Sequence, residues 1–200
     1  MNKLLEEHPW YHDLAGEGRL VVSRALHEID YSYGSTAETA ISPYNYHNGV
    51  HTRLACEDFS ILRDTLGFTE AEFVLGITAM SAHDIVKTFD RPAGVDEDES
   101  ANWWETQLRS LPGVSQIAIK TGRLAIIGTT PRFDNGTIVQ KAMEQTYPTK
   151  RAELIAHAVA GADVGRLFTP QGPWLSHQLY KEMQAASGNL SELMEGLIAF

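Results

Sequence analysis

Apolar residues along the chain recur every three or four positions, and period-two alternation is nearly absent. That spacing predicts helices almost throughout. Residues 18–32 read as one helix. In 48–66, Val50, Leu54, Phe59, Leu62 and Leu66 form a recurring stripe and predict another. Thr69 followed by Glu72 has the form of a capping box. The helix it opens carries Phe73, Val74, Leu75, Ile77 and Met80 and is expected to run to Phe89, before Arg91-Pro92-Ala93-Gly94 breaks the chain. Asp96 to Glu99 gives the next helix an acidic start, favourable beside the positive end of its dipole. Further helices are expected over 115–129, 136–146, 150–168, 173–187 and 190–199. The β-branched character of 115–127 leaves a strand as the alternative there.

The breakers are short and scattered: Gly67, Pro112-Gly113, Asp134-Asn135-Gly136, Pro148 and Pro170-Gln171-Gly172-Pro173. With no low-complexity linker, heptad series or repeat of 20–50 residues, the expected class is all-α. A single compact multi-helix bundle over residues 1–200 is the economical architecture, since 200 residues are enough to bury a core.

Composition then narrows the partners. Lys plus Arg is 16 and Asp plus Glu is 26, a formal charge of −10. That balance argues against wrapping a nucleic-acid polymer. It leaves room for a small phosphorylated substrate, because a bound divalent cation reverses the field of an acidic site. Cys56 is the single cysteine, so neither an internal disulfide nor an all-cysteine metal site is available. No stretch approaches the roughly 18 to 20 apolar residues of a membrane span. The opening Met-Asn-Lys-Leu-Leu-Glu-Glu-His has no apolar run of signal-peptide length, so a cytoplasmic protein is expected. The apolar ending Leu197-Ile198-Ala199-Phe200 is compatible with a homodimer.

Four clusters bear chemistry. In Tyr46-His47-Asn48-Gly49-Val50-His51, the two histidines are four apart and on a helix project from nearly one face; they fit a metal pair, or one ligand and one acid, or a surface pair. His83-Asp84 follows the strongly apolar run Val74 to Met80, and a buried aspartate there needs a partner or a metal to offset its desolvation. On a helix the two lie ~100° apart, yet they can converge on one ion placed beside the helix if other helices supply the remaining ligands. Asp163 sits among Ala and Gly on a largely apolar helix, where a ligand role competes with an ion pair to Arg166. Asp96 to Glu99 reads by default as a solvated helix start. Trp103-Trp104, Tyr44, Tyr46 and Phe133 fit a core better than a stacking platform.

In order, these residues resemble the HD superfamily of metal-dependent phosphohydrolases, whose signature His…His-Asp…Asp reads here His51…His83-Asp84…Asp163. The His-Asp-x-x-Lys form is present as His83 to Lys87. Tyr46 to His51 is similar to the Tyr-His-Asn-x-x-His stretch of the cyclic-nucleotide phosphodiesterase branch and of small bacterial relatives. Asp98-Glu99-Ser100-Ala101 approximates an acidic feature of those relatives, lacking one spacer. The resemblance spans residues 44–168.

It implies an HD-type domain in which His51, His83, Asp84 and Asp163 hold a divalent metal ion (Mg, Mn, Fe, Co, Ni or Zn), as one ion or two with Asp84 bridging. It further implies His47 as general acid, Lys87 as a phosphate contact, and Asn48, Glu99 and Arg132 as substrate-binding residues; Arg123 is a further candidate phosphate contact. The implied activity is hydrolysis of a phosphomonoester or phosphodiester, a nucleotide among the candidates, by metal-activated water. The alternative is a non-catalytic HD module that binds a nucleotide or metal for regulation. The di-iron oxygenases of the superfamily need extra histidines between His83-Asp84 and Asp163. Only His157 lies there, six residues before Asp163 and facing elsewhere. His8, His12, His27 and His177 read as surface or packing residues.

Overall fold

The computed structural model describes residues 8–14, 16–36, 39–41, 43–88, 91–134 and 137–187, without the side chains of 133–138 and 183–187. Eight helices are present among them: α1 (Pro9–His12), α2 (Gly16–Tyr33), α3 (Gly49–Thr65), α4 (Glu70–Ala82), α5 (Val95–Arg109), α6 (Gln116–Gly128), α7 (Lys150–Gly165) and α8 (Gly172–Ser187). One antiparallel hairpin, β1 (Pro131–Asp134) and β2 (Thr137–Gln140), lies between α6 and α7 with Arg132 opposite Val139. The fold is all-α, as the apolar spacing predicts.

Local chemistry explains half of the helix starts. Asn48, Thr69, Ser115 and Thr149 each accept a backbone N–H of the first turn, and Thr69 with Glu72 completes the expected capping box. Segment 115–127 is helical. Helix α6 packs against α5 and α7 and buries Ile119, Thr121 and Ile126, so tertiary burial decides the conformation.

Helix α4 is the hub. From Gly76 to Ala82 every residue is buried, and α2, α3, α5, α6 and α7 all pack on it. A helix apolar on every side can exist only when surrounded. Phe59, Phe73, Ile77, Met80, Trp104 and Ile126 are fully enclosed in the resulting core. Close approach needs small residues: a Cβ on Gly76 would stand 2.1 Å from the Phe59 ring, and one on Gly122 would stand 2.0 Å from Trp104.

Two expectations are corrected. Helix α4 stops at Ala82, with His83 as its C-cap, instead of continuing to Phe89, which is outside the described residues. Side chains from other elements take the backbone groups that a continuing helix would use. The Tyr33 hydroxyl donates to Ile85 O at 3.1 Å and accepts from Lys87 N at 2.9 Å, Ser100 Oγ accepts from Val86 N, and Asp96 accepts from Thr88 N. Segment 136–146 contains β2 and a 3₁₀ turn at Lys141–Met143 instead of a helix. Ile138 and Val139 suit a strand, and Lys141 N bonds Thr130 O at 3.0 Å to close the base of the hairpin. The helix expected over 190–199 lies outside the described residues.

Replacing Gly122 by alanine is predicted to lower stability by about 1–3 kcal/mol through overpacking against Trp104. Helix propensity alone favours alanine by about 1 kcal/mol, so the sign of the change in urea unfolding identifies which effect governs. An alanine variant at least as stable as the parent would show that Trp104 yields without cost.

Candidate metal centre

His83, the α4 C-cap with helical φ and ψ of −60° and −33°, and Asp84 in the turn that follows both reach one point. His51 comes from the first turn of α3 and Asp163 from the last turn of α7. The four donor atoms lie within 4.8 Å of one another. His51 Nε2 is 3.2 Å from His83 Nε2, 3.1 Å from Asp163 Oδ1 and 3.4 Å from Asp84 Oδ2. His83 Nε2 is 2.9 Å from Asp84 Oδ2 and 3.2 Å from Asp163 Oδ1.

These spacings fit one ion. Ligands about 2.1 Å from a metal, the range for imidazole nitrogen and carboxylate oxygen, stand roughly 3.0–3.4 Å apart at octahedral or tetrahedral angles. The buried Asp84 Oδ2 accepts no hydrogen bond, as expected of an oxygen meant for a cation. The His83 Nδ1–H donates to Met80 O at 2.7 Å, which directs the Nε2 lone pair inward. Tyr46 packs on the His51 ring with centroids 4.4 Å apart. No family model, curated protein or solved structure matches the chain.

The electrostatics follow from burial and sign. Burial pushes His51 and His83 toward neutrality, but hydrogen bonds and charges of Asp163 and Asp84 outweigh it, so both imidazoles are raised above the ordinary histidine value. Burial pushes Asp84 and Asp163 up, yet the neighbouring cations, His83 first, hold both well below the usual carboxylate range. Lys87 is opposed by burial and raised by Asp84 and Glu97.

His47 stands just before the α3 cap, its ring centroid 5.8 Å from that of His51. Its Nδ1 is bonded to the carboxylate of Glu182, which is wholly buried on α8. Glu182 Oε2 also accepts the backbone N–H groups of Tyr46 at 2.7 Å and His47 at 2.9 Å. Burial raises the Glu182 carboxyl, but His47 and these donors bring it below the ordinary value. An ionised carboxylate can only accept, so Nδ1 carries the proton and Nε2 is the nitrogen left for chemistry.

Other residues named from the sequence have different employment. Asn48 is buried as the α3 cap and donates to Tyr44 O and Asn45 O. Glu99 is half exposed and pairs with Arg91 at 2.8 Å. The acidic residue facing inward from that turn is Glu97, 3.7 Å from Lys87 Nζ. Arg132 is exposed and pairs with Glu144. Arg123 pairs with Asp98 and Glu105. Arg166 joins Glu57 and Asp58 on α3, which leaves Asp163 to the centre. His157 faces Ala142 O, away from the centre. Trp104 is core, while the Phe133 side chain is outside the described residues.

Sequence reasoning missed Glu182, Glu97 and Gln140, whose Nε2 donates to Asp163 Oδ2 at 3.1 Å and steadies that carboxylate from the hairpin. A cavity of about 730 Å³ lies elsewhere, lined by Val21, Val74, Leu108 and Ile155. None of the four clustered residues lines it, so cavity size does not locate the chemistry.

The sign of the pH dependence is opposite for the free and metal-bound protein. Raised histidines contribute stability that is complete below about pH 6.5 and lost as pH rises through their folded values. The depressed aspartates contribute stability that is lost only as pH falls into the acid range. Metal coordination needs neutral imidazoles and releases their protons. As pH rises above about 6.5, the chelated protein is therefore expected to lose thermal stability while the increment from added Zn²⁺ or Mn²⁺ grows. An increment that does not vary with pH would refute coordination by these histidines.

Proposed function

We propose that the protein is a metal-dependent phosphohydrolase of the HD type that cleaves a phosphate ester. The observation that carries the reading is the convergence of His51, His83, Asp84 and Asp163 from three separate segments onto one point, with His47 beside them. Two imidazoles and two carboxylates form an N/O set suited to borderline or hard divalent ions. The ion they would hold supplies Lewis acidity toward the phosphoryl group and a lowered pKa for bound water.

The chain's own residues supply the rest. Gln140 holds the outer oxygen of Asp163, and the Met80 carbonyl holds the far side of His83. These contacts keep the donor atoms converged before substrate arrives. Glu182 holds the His47 ring through Nδ1–H, so that in the imidazolium form the second proton, on Nε2, is the one delivered to the departing ester oxygen, leaving the neutral Nδ1–H tautomer. Lys87 turns an ammonium toward Asp84 from the opposite side, placing positive charge where an anionic substrate is bound. With the cation bound, the ion and Lys87 together neutralise the carboxylates of the centre, so a small phosphorylated molecule does not meet their unscreened negative charge.

The deciding assay is turnover of bis(p-nitrophenyl) phosphate and p-nitrophenyl phosphate by metal-loaded protein. Asp84→Ala is expected to abolish turnover. His47→Ala is expected to lower kcat by about 10²–10⁴-fold while metal content stays unchanged. Metal bound at full occupancy with no turnover over a broad panel of phosphate esters would overturn the hydrolase in favour of a regulatory binding module.

A further inference from the structure

The two oxygens of Asp84 face different partners. Oδ2 points into the cluster of four, 2.9 Å from His83 Nε2. Oδ1 faces Lys87 Nζ at 3.6 Å. The same ammonium lies 3.7 Å from Oε1 of Glu97, a buried carboxylate in the first turn of α5. In two-metal hydrolases the ions sit about 3.5–4 Å apart as a clamp on the reacting oxygens. When one carboxylate bridges such a pair, the second ion takes its outer oxygen and needs further carboxylate ligands. In this chain the outer oxygen of Asp84 and Glu97, a further buried carboxylate among the described residues, both face a lysine.

Building on the reading of these four residues as a metal site, we propose that Lys87 occupies the second-cation position, so that the centre takes one divalent ion per chain. Charge balance supports it. Asp84, Asp163 and Glu97 carry −3 together, and one divalent ion plus Lys87 carries +3. A second divalent ion would bring the positive total to +5, and the other buried carboxylates among the described residues are already engaged. Glu182 is engaged by His47 and two backbone N–H groups. Asp96 is engaged by Thr88 and Arg91.

The lysine is also held in place by its backbone. Its N–H donates to the Tyr33 hydroxyl at 2.9 Å, its carbonyl accepts from the Tyr44 hydroxyl at 3.0 Å, and the neighbouring Val86 and Thr88 amides are taken by Ser100 and Asp96. Four side chains from three other segments therefore fix the turn that presents Nζ. Both ion-pair separations exceed the 2.7–2.9 Å of a charge-assisted hydrogen bond. The ammonium thus keeps N–H donors for a substrate oxygen, which a second metal ion would lack.

The test is metal stoichiometry of the full chain, stripped and reloaded with Mn²⁺, read by elemental analysis and by electron paramagnetic resonance. The wild type is expected to hold one ion per chain with an uncoupled Mn²⁺ signal. Lys87→Met, which keeps most of the stem and removes the charge, is expected to take up a second, weaker ion and to show spin coupling. Two ions in the wild type overturn the proposal while leaving the metal-site reading intact. No ion in the wild type overturns that reading itself. A folded Lys87→Met that still holds a single ion overturns the assignment of the exclusion to Lys87. Should that variant not fold, Glu97→Gln decides: one ion before and after supports the proposal, and a drop from two to one refutes it.

Discussion

Everything at the candidate centre depends on the buried end of α4. From Gly76 to Ala82 every residue is enclosed, with five other helices packed on α4, so the polar pair that follows is delivered into the interior. His83 keeps helical dihedrals as the C-cap (φ −60°, ψ −33°), so adjacency alone does not aim His83 and Asp84 at one point. The cluster is completed only because His51 on α3 and Asp163 on α7 reach the same place. The turn that follows is stable because Tyr33, Tyr44, Ser100 and Asp96 satisfy its backbone from α2, the segment before α3, and α5. A buried turn without such partners would be costly.

Burial and charge are reconciled by the same arrangement. Five ionisable groups with almost no exposed surface, His51, His83, Asp84, Glu97 and Glu182, could not coexist as isolated charges. Each is faced by a partner of opposite sign or by backbone donors; His83, Asp84 and Lys87 share one turn, and His51, Asp163 and Glu97 reach it from other segments. The core and the polar centre are thus mutually dependent. The apolar helices bring the charges together, and the charges tie the ends of the helices to one another.

The sequence made the helices legible wherever an apolar stripe coincided with a local cap, as at Asn48, Thr69 and Ser115. It was less informative where the signal belonged to the tertiary structure. The end of α4 was invisible because the groups that terminate it lie on other segments. The hairpin was legible in principle: Asn135-Gly136 between apolar runs is a turn signal, but Ile138, Val139, Ala142 and Met143 mimic helical spacing. The four clustered residues could be named because their order and adjacency resemble a known pattern. Glu182 and Gln140 carry no such mark. On a helix or at a strand end, an acidic or amide residue looks like surface until the fold puts it beside His47 or Asp163. Glu97 and Glu99 differ by half a turn, and only packing distinguishes the one that faces Lys87.

The bond between Glu182 and His47 joins residues 135 positions apart in the chain. Among its described side chains, α8 buries Leu175 and Glu182 and leaves Trp174 about half exposed. A polypeptide ending before residue 182 would keep all four of the clustered residues and His47, yet lack the carboxylate that holds the His47 ring. On the proposed reading, cation capture and proton delivery would then be separable, divided along the chain between the body of the bundle and its final described helix.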